Sequence, residues 1–226
     1  MKLTQTPRLR MLTVAAIVLA VAASSVIGQT LKPIANPELT PAIQLIRQGE
    51  SKKARDLLKK AVKKSKTDGE AWYYLGIAYL QLNDFKKGSD AFKNAIEARP
   101  DLAPMAHAGY AYALVLRNQL DKAVMSANTA LRLDPQNIEA LYTLGIVDLR
   151  RGARLEAISK ADTVIALKQD FAAAYLLKSQ AFLSSGSSMY PFSMPKEERQ
   201  LRYRQAAAAL EKYLELESDS RVTEVW

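Results

Sequence analysis

The stretch that decides the fold runs from Trp72 to Pro100 and reads WYYLGIAYLQLNDFKKGSDAFKNAIEARP. A polar turn at Asn83 and Asp84 divides it into two apolar stripes at helical spacing: Trp72, Leu75 and Tyr79, then Ala91, Phe92, Ala95 and Ile96. Each stripe predicts one amphipathic helix. Pro100 ends the second helix because proline cannot continue it. Two such helices cannot bury both stripes alone, so we expect neighbouring pairs to cover them. Small residues such as Gly76 should let helices approach closely, while Trp72 and Phe92 fill the spaces between them.

The same pattern recurs with a period near 34 residues, which is the mark of a repeat array. The small-residue position shows it best, because Ala54, Gly88, Ala123 and Ala157 are 34, 35 and 34 residues apart. Pro135 repeats the position of Pro100. The predicted units are 35–68, 69–102, 104–137, 138–171 and 172–218.

The spacing of the large residue, Leu-Gly, aromatic, small residue, aromatic, Ala and Pro between Trp72 and Pro100 resembles the tetratricopeptide repeat (TPR) consensus. The resemblance implies an all-α fold over residues 29–218, in which antiparallel helix pairs stack into a right-handed superhelix. Together with the N-terminal segment described below, the resemblance suggests an exported bacterial TPR protein. The first unit has a short opening helix, predicted over Pro41 to Gln48, after an N-cap at Thr40.

Two features interrupt the pattern near the C-terminus. Residue counting predicts a 15-residue insertion within 184–199, either a surface loop or, because of its apolar side chains, a flap that contacts a partner. Residues 219–226 predict the start of a further helix at Arg221, capped by Ser220. That helix either packs as a stub or leads into a further helix or domain.

The N-terminal segment, residues 1–28, predicts a secretory signal peptide or a membrane anchor. Residues 1–10 carry three basic side chains and no acid, and 11–28 are uncharged and mostly apolar. Cleavage is expected after Ser25 or Gly28, whereas an uncleaved run of 18 residues reaches the lower limit for spanning a bilayer. In either case the rest of the chain is exported, to the periplasm or another extracytoplasmic place.

The composition argues against an enzyme. The chain of 226 residues has no Cys and one His, which removes disulfides, thiolate nucleophiles and any site with two His ligands. No phosphate-binding loop or nucleophile motif is present, so we predict no catalytic, cofactor or metal residues. His107 takes the position of Trp72 and is expected to be a packed core histidine. Asp148 is expected either to tilt towards the groove or to pair with a neighbour such as Arg151, because an unpaired buried carboxylate would be costly.

The TPR resemblance implies a concave groove lined by the first helix of each unit. Tyrosines with an apolar ring and a hydrated hydroxyl suit recognition of a peptide or a helix. The alternative is that these tyrosines only pack between helices. The predicted partner-binding residues are Tyr73, Ile77, Tyr112, Val115, Tyr142, Ile146 and Leu176.

The positive charge is concentrated in the helix predicted over Ser51 to Lys66, although the whole chain carries +9. This basic face is either a solvated surface or a contact for anionic lipid or an acidic envelope partner. Nucleic acid is disfavoured because an exported chain rarely meets it. The residues of the basic face are Lys52, Lys59, Lys60, Lys63 and Lys64.

Together these features predict a non-enzymatic scaffold or adaptor of the bacterial envelope, which binds a protein or peptide in an apolar, Tyr-rich groove. One alternative is a module that tethers to an anionic surface through the basic first repeat. Another is the non-catalytic segment of a larger envelope protein, such as a TonB-type transducer or an enzyme. The sequence predicts no particular oligomeric state.

Overall fold

The computed structural model describes residues 36–184 and 195–223, with side chains described up to 218. These ranges contain helices and turns and no strand. After a 3-10 turn at Pro37–Leu39, the helices are α1 (Thr40–Arg47), α2 (Ser51–Lys64), α3 (Gly69–Gln81), α4 (Phe85–Ala98), α5 (Ala103–Leu116), α6 (Leu120–Leu133), α7 (Ile138–Arg150), α8 (Arg154–Leu167), α9 (Ala172–Leu183) and α10 (Lys196–Thr223).

Consecutive helices pair as hairpins, α1 with α2 through to α9 with α10, and the second helix of each hairpin packs on the first helix of the next. The short connections make the paired helices antiparallel. The all-helical, TPR-like architecture predicted from the sequence is confirmed.

A left-handed residue closes the first helix of four successive hairpins. Gly49, Asn83, Asn118 and Gly152 have φ values of 74°, 59°, 58° and 78°. In each turn, the amide of the following residue donates to a carbonyl five positions back, as in the 2.9 Å bond from Asp84 to Tyr79. This is the Schellman termination, which favours Gly and then Asn because a Cβ is strained at positive φ.

Side-chain caps start several of the helices. The Oδ1 atom of Asp68 accepts from the Ala71 amide at 2.9 Å, and Asn137 accepts from the Ala140 amide at 3.0 Å. Each bond satisfies one of the amides that a helix start leaves without an intrahelical partner.

Glycines allow the hairpins to approach closely at one shared aromatic ring. Phe92 of α4 is only 1 % exposed. A Cβ added to Gly76 on α3 would lie 2.8 Å from this ring, and one added to Gly109 on α5 would lie 2.6 Å from it. Phe92 therefore fills the space between two hairpins, as the pattern of small and large residues predicts.

Both ends of the described array differ from the expected boundaries. Thr40 does not cap α1 from outside, because the Pro37–Leu39 turn precedes it and Asn36 caps that turn by accepting from the Glu38 amide. At the other end, α10 continues unbroken to Thr223, so the prediction of a new helix starting at Arg221 is wrong. Its 28 residues are twice the 14 of α4.

Three predicted segments lie wholly or partly outside the described residues: the signal or anchor segment 1–28, most of the insertion within 184–199, and residues 224–226. Among the helices that are described, none combines the length and apolar character needed to cross a membrane.

Candidate functional site

The predicted groove residues all lie on the first helices of hairpins, but the structure buries them. None of the seven is more than 7 % exposed. Only a small fraction of each side chain is therefore open to solvent. These residues are Tyr73 and Ile77 on α3, Tyr112 and Val115 on α5, Tyr142 and Ile146 on α7, and Leu176 on α9.

Trp72 and Tyr73 are adjacent on α3 and differ in how far they are buried. Trp72, which the pattern assigns to the spaces between helices, is only partly buried, and its indole N–H donates to the Lys66 carbonyl at 2.8 Å. Its neighbour Tyr73 is buried. His107 and Tyr175, at the Trp72 position of later units, are likewise only partly buried. At Tyr73 the side of the first helix predicted to face a ligand is thus largely covered by neighbouring side chains.

Tyr112, Tyr142 and Phe171 form a row of rings that joins three hairpins. The ring centroids of Tyr112 and Tyr142 are 6.4 Å apart, and those of Tyr142 and Phe171 are 5.5 Å apart with the rings edge to face. Burial raises the pKa of Tyr112 and of Tyr142 well above the usual tyrosine value. Both hydroxyls therefore stay protonated and are available only as neutral hydrogen-bonding groups.

Tyr73 belongs to a separate aromatic group. Its ring lies edge to face with Tyr74 at 5.3 Å and with Phe92 at 5.7 Å. Burial, with a smaller contribution from the charge of Glu139, raises the pKa of Tyr73. The structure therefore brings Tyr112 and Tyr142 together but packs Tyr73 against its own hairpin.

A cleft lies on the predicted surface, between α7 and α9. Its volume is about 30 Å³, which suits a single small side chain. Arg150 stands at this cleft and donates from Nη1 to the Val115 carbonyl at 2.6 Å, so the guanidinium is held in place. Tyr142, Ile146 and Leu176 of the predicted set line the cleft with Leu149, Arg150, Leu177 and Gln180.

A larger hollow of about 530 Å³, which the sequence does not predict, is formed by α4, α5 and α6. Met125 stands at its edge with a 71 % exposed side chain, and Lys93 lies over the Tyr110 ring at 5.4 Å. Met125 is an apolar residue on the exposed side of α6, and this is the feature of the sequence that could have indicated the hollow. The lining residues are Lys93, Ile96, Glu97, His107, Tyr110, Lys122, Met125, Ser126 and Thr129.

A third hollow, of about 440 Å³, lies where α2, α3 and the end of α4 meet, and its polar groups are engaged in structural contacts. The Asn36 amide donates to Glu70 at 3.1 Å, and its side chain donates to Asp68 at 2.9 Å. Lys64 bridges to Glu38 at 3.1 Å. These bonds hold the N-terminal turn against α3.

His107 is half-buried and hydrogen-bonded. The Ser126 hydroxyl donates to the His107 carbonyl at 3.0 Å, so Nδ1 of the ring, 3.2 Å from the same hydroxyl, acts as the donor. Burial, with a smaller effect of Arg132, lowers the pKa of His107. The prediction of a packed, hydrogen-bonded histidine is confirmed, although the ring also reaches the outer hollow.

Asp148 is half-buried, and burial raises its pKa. The predicted partner Arg151 instead pairs with Asp121 at 2.5 Å, across to the preceding hairpin. Asp148 contributes its backbone to the turn, since its carbonyl accepts from the Ala153 amide at 2.9 Å. The prediction of a pair with Arg151 is thus wrong for the side chain.

The basic face lies on α2, and all five of its lysines are exposed. The buried stripe of α2 (Ser51, Ala54, Leu58 and Val62) points the other way. Within the described ranges, Lys64 is the member of this set with an ion pair, to Glu38. The remaining lysines present an unneutralised positive surface.

The described residues contain no group of three or more His, Cys, Asp or Glu side chains placed to hold a metal ion.

Comparison with known proteins finds a tetratricopeptide repeat in part of the chain. A family model described as a tetratricopeptide repeat matches residues 45–111. BBSome complex member BBS4 of Bos taurus is 32% identical over 105 residues, which are 46% of this chain and 20% of BBS4. The chain therefore spans about a fifth of the length of that relative.

Solved structures show the same fold at low sequence identity. MamA from Desulfovibrio magneticus RS-1 superposes with a TM-score of 0.54 at 19% identity, over 82% of this chain and 98% of that one. PilF of Pseudomonas aeruginosa gives a TM-score of 0.60 at 15% identity, over 78% of this chain and 74% of that one.

Proposed function

We propose that the chain is a non-enzymatic scaffold of the bacterial envelope, which holds an apolar peptide or helix against the first helices of its hairpins. TPR proteins act as protein-interaction scaffolds, and the relative BBS4 is by name a member of a complex. The first helices of successive hairpins carry aromatic and aliphatic side chains along one side, and most of each side chain is packed.

The observation that carries this proposal is the cleft between α7 and α9. It is apolar at Ile146 and Leu176 and polar at Arg150 and Gln180. An apolar side chain of the partner enters the cleft, while the neighbouring polar groups bind its backbone. Tyr73 and Tyr112 are buried, so they act by holding the surface in shape rather than by touching the partner.

The test compares two glutamates on opposite surfaces. Leu149→Glu places a charge at the cleft, and Leu155→Glu, at an exposed position of α8, is the matched control. Binding of fluorescent amphipathic helical peptides to the full chain is measured at about 50 and 300 mM salt. We expect the unaltered chain to bind equally well at both salt concentrations. Leu149→Glu should abolish this binding, and Leu155→Glu should leave it intact. Equal binding by both variants would overturn the proposal.

A second candidate function, tethering to an anionic surface, is favoured by the exposed lysines of α2. Lys52, Lys59 and Lys63 lie along one side of this helix, and all are exposed. Vesicles of phosphatidylglycerol and phosphatidylcholine, compared with phosphatidylcholine alone, test it. Binding that needs phosphatidylglycerol, disappears near 300 mM salt and is lost in a Lys52→Glu, Lys59→Glu, Lys63→Glu variant supports tethering. Binding that survives the triple change contradicts it.

The proposed envelope location depends on residues 1–28 acting as an export signal. Fusing residues 1–35 to a reporter that needs a disulfide to be active tests this, because such bonds form outside the bacterial cytoplasm. We expect an active reporter. The mass of the exported product then distinguishes cleavage after Ser25 or Gly28 from a retained anchor, and an inactive fusion argues against export.

A further inference from the structure

The last described helix, α10, presents an apolar row to solvent. We call it the terminal stripe, and it consists of Tyr203, Ala207, Leu210 and Leu214. Their spacings of four, three and four residues place them on one side of the helix. Tyr203 is 57 % exposed and Leu214 56 %. The opposite flank, including Ala206, Ala209 and Tyr213, is buried against the array.

The corresponding positions are covered in every preceding hairpin. The position of Leu210 is held by Leu58, Phe92, Ala127 and Ala161, which are all buried, whereas Leu210 is 38 % exposed. The position of Leu214 is held by Val62, Ile96, Leu131 and Ile165, which all pack in the core. In each case the first helix of the next hairpin provides the cover. The terminal stripe thus has the composition of a helix-packing surface.

We propose that a second copy of this chain covers the terminal stripe, with its α10 running antiparallel to the first. Antiparallel pairing about a centre between Ala208 and Ala209 sets Tyr203 against Leu214 of the second copy, and Ala207 against Leu210. Each pair therefore contains at least one large apolar side chain. The pairing is the same in both directions, as a two-fold interface requires. Ala207 near the centre lets the two backbones approach closely.

Charge placement supports the antiparallel direction. Arg204 and Glu211 are both exposed and flank the terminal stripe on the side away from α9. They are seven residues apart, about 10 Å along the helix, so they do not pair with each other. In the antiparallel arrangement Arg204 lies beside Glu211 of the second copy, and the symmetry makes this pair twice. In a parallel two-fold pair the same flank of each helix lies on opposite sides of the interface, so Arg204 and Glu211 would not meet.

The first experiment measures the association of the full-length chain by sedimentation equilibrium up to about 100 µM. We expect a dimer. The Leu210→Glu change should raise its dissociation constant about tenfold or more, because the charge would be buried in the terminal stripe. Leu201→Glu is the matched control, since Leu201 is exposed on the far side of the same helix, and it should leave the dimer unchanged. Circular dichroism verifies that both variants keep their helix content.

The second experiment exchanges the flanking charges. Arg204→Glu alone and Glu211→Arg alone each create like-charge pairs across the interface and weaken the dimer, whereas the double variant restores opposite charges and strength. Recovery in the double variant cannot come from within one chain, because the two side chains are too far apart.

A monomer at about 100 µM overturns the proposal and leaves a helix of another protein as the occupant. A dimer that tolerates Leu210→Glu also overturns it, since association then uses another surface. If the double variant does not regain the dimer strength of the unaltered chain, the antiparallel register is rejected. None of these results depends on the α7–α9 cleft, so they leave the proposed function to its own test.

Discussion

Helices α4 and α10 occupy the same place in their hairpins and differ in what covers them. Phe92 on α4 is 1 % exposed and lies between the glycines of two neighbouring first helices, whereas Leu210, at the matching position of α10, is 38 % exposed. The repeat pattern therefore specifies a residue that is able to pack. Whether it packs depends on a neighbouring helix lying against it, and the following changes test this difference.

The largest expected effect comes from removing the interior ring. Phe92→Ala should lower the free energy of unfolding by about 3–5 kcal/mol, because the large cavity lies at a junction of two hairpins. Leu210→Ala should cost less than about 1 kcal/mol in the monomer, since its side chain is already partly hydrated. Urea unfolding at low protein concentration measures both, and equal losses would contradict the comparison.

Adding a single methyl group at the same junction should have a smaller effect. Gly109→Ala places a Cβ 2.6 Å from the Phe92 ring, so we expect a loss of about 1–3 kcal/mol despite the better helix propensity of Ala. Phe92→Leu in the same chain shortens the obstructing side chain and should recover part of the loss. Thermal unfolding of the single and double variants measures this coupling, and strict additivity would rule out a clash.

Alanine substitution of a left-handed turn residue should cost a similar amount of stability at the end of the array and in its middle. Gly49→Ala and Asn118→Ala each put alanine at a positive φ, which costs about 1 kcal/mol through local backbone strain. At Gly49 no atom lies within 4 Å of the added Cβ, so packing does not contribute there. Chemical denaturation should show similar losses, and a much larger loss at Asn118 would indicate that neighbouring hairpins take part.

The smallest effect concerns pH. The pKa of His107 is lowered in the folded state, mainly by burial, so the unfolded chain takes up the proton more readily. Stability should therefore fall as the pH drops below the unfolded histidine value of about 6.5. The His107→Gln variant should lack this part of the pH dependence. Unfolding between about pH 7.5 and 5 compares the two chains, and parallel curves would contradict the assignment.

Much of the architecture was predictable because it depends on local pattern. The period of 34 or 35 residues, the helix ends before Pro100 and Pro135, and the contact between Phe92 and glycine all follow from which residues recur. The course of α10 was less predictable. Ser220 resembles a cap residue, yet the helix runs through it.

The candidate site was harder to predict for a physical reason. Apolar spacing shows that Trp72 and Tyr73 both belong to a broad apolar side of α3, but not which of the two the neighbouring helix covers. That choice depends on the angle between successive hairpins, which no single repeat encodes. The hollow beside Met125 escaped notice for the same reason, since three helices from two hairpins form it.

The left-handed turn residues have a consequence for how such a chain changes in evolution. Gly49, Asn83, Asn118 and Gly152 each terminate a helix by bonds made inside their own hairpin. A duplicated or deleted gene segment of one period would therefore bring its own stop with it and leave the folding of adjoining segments intact. Growth and shortening of this protein by whole periods should be far better tolerated than the gain or loss of a few residues within one.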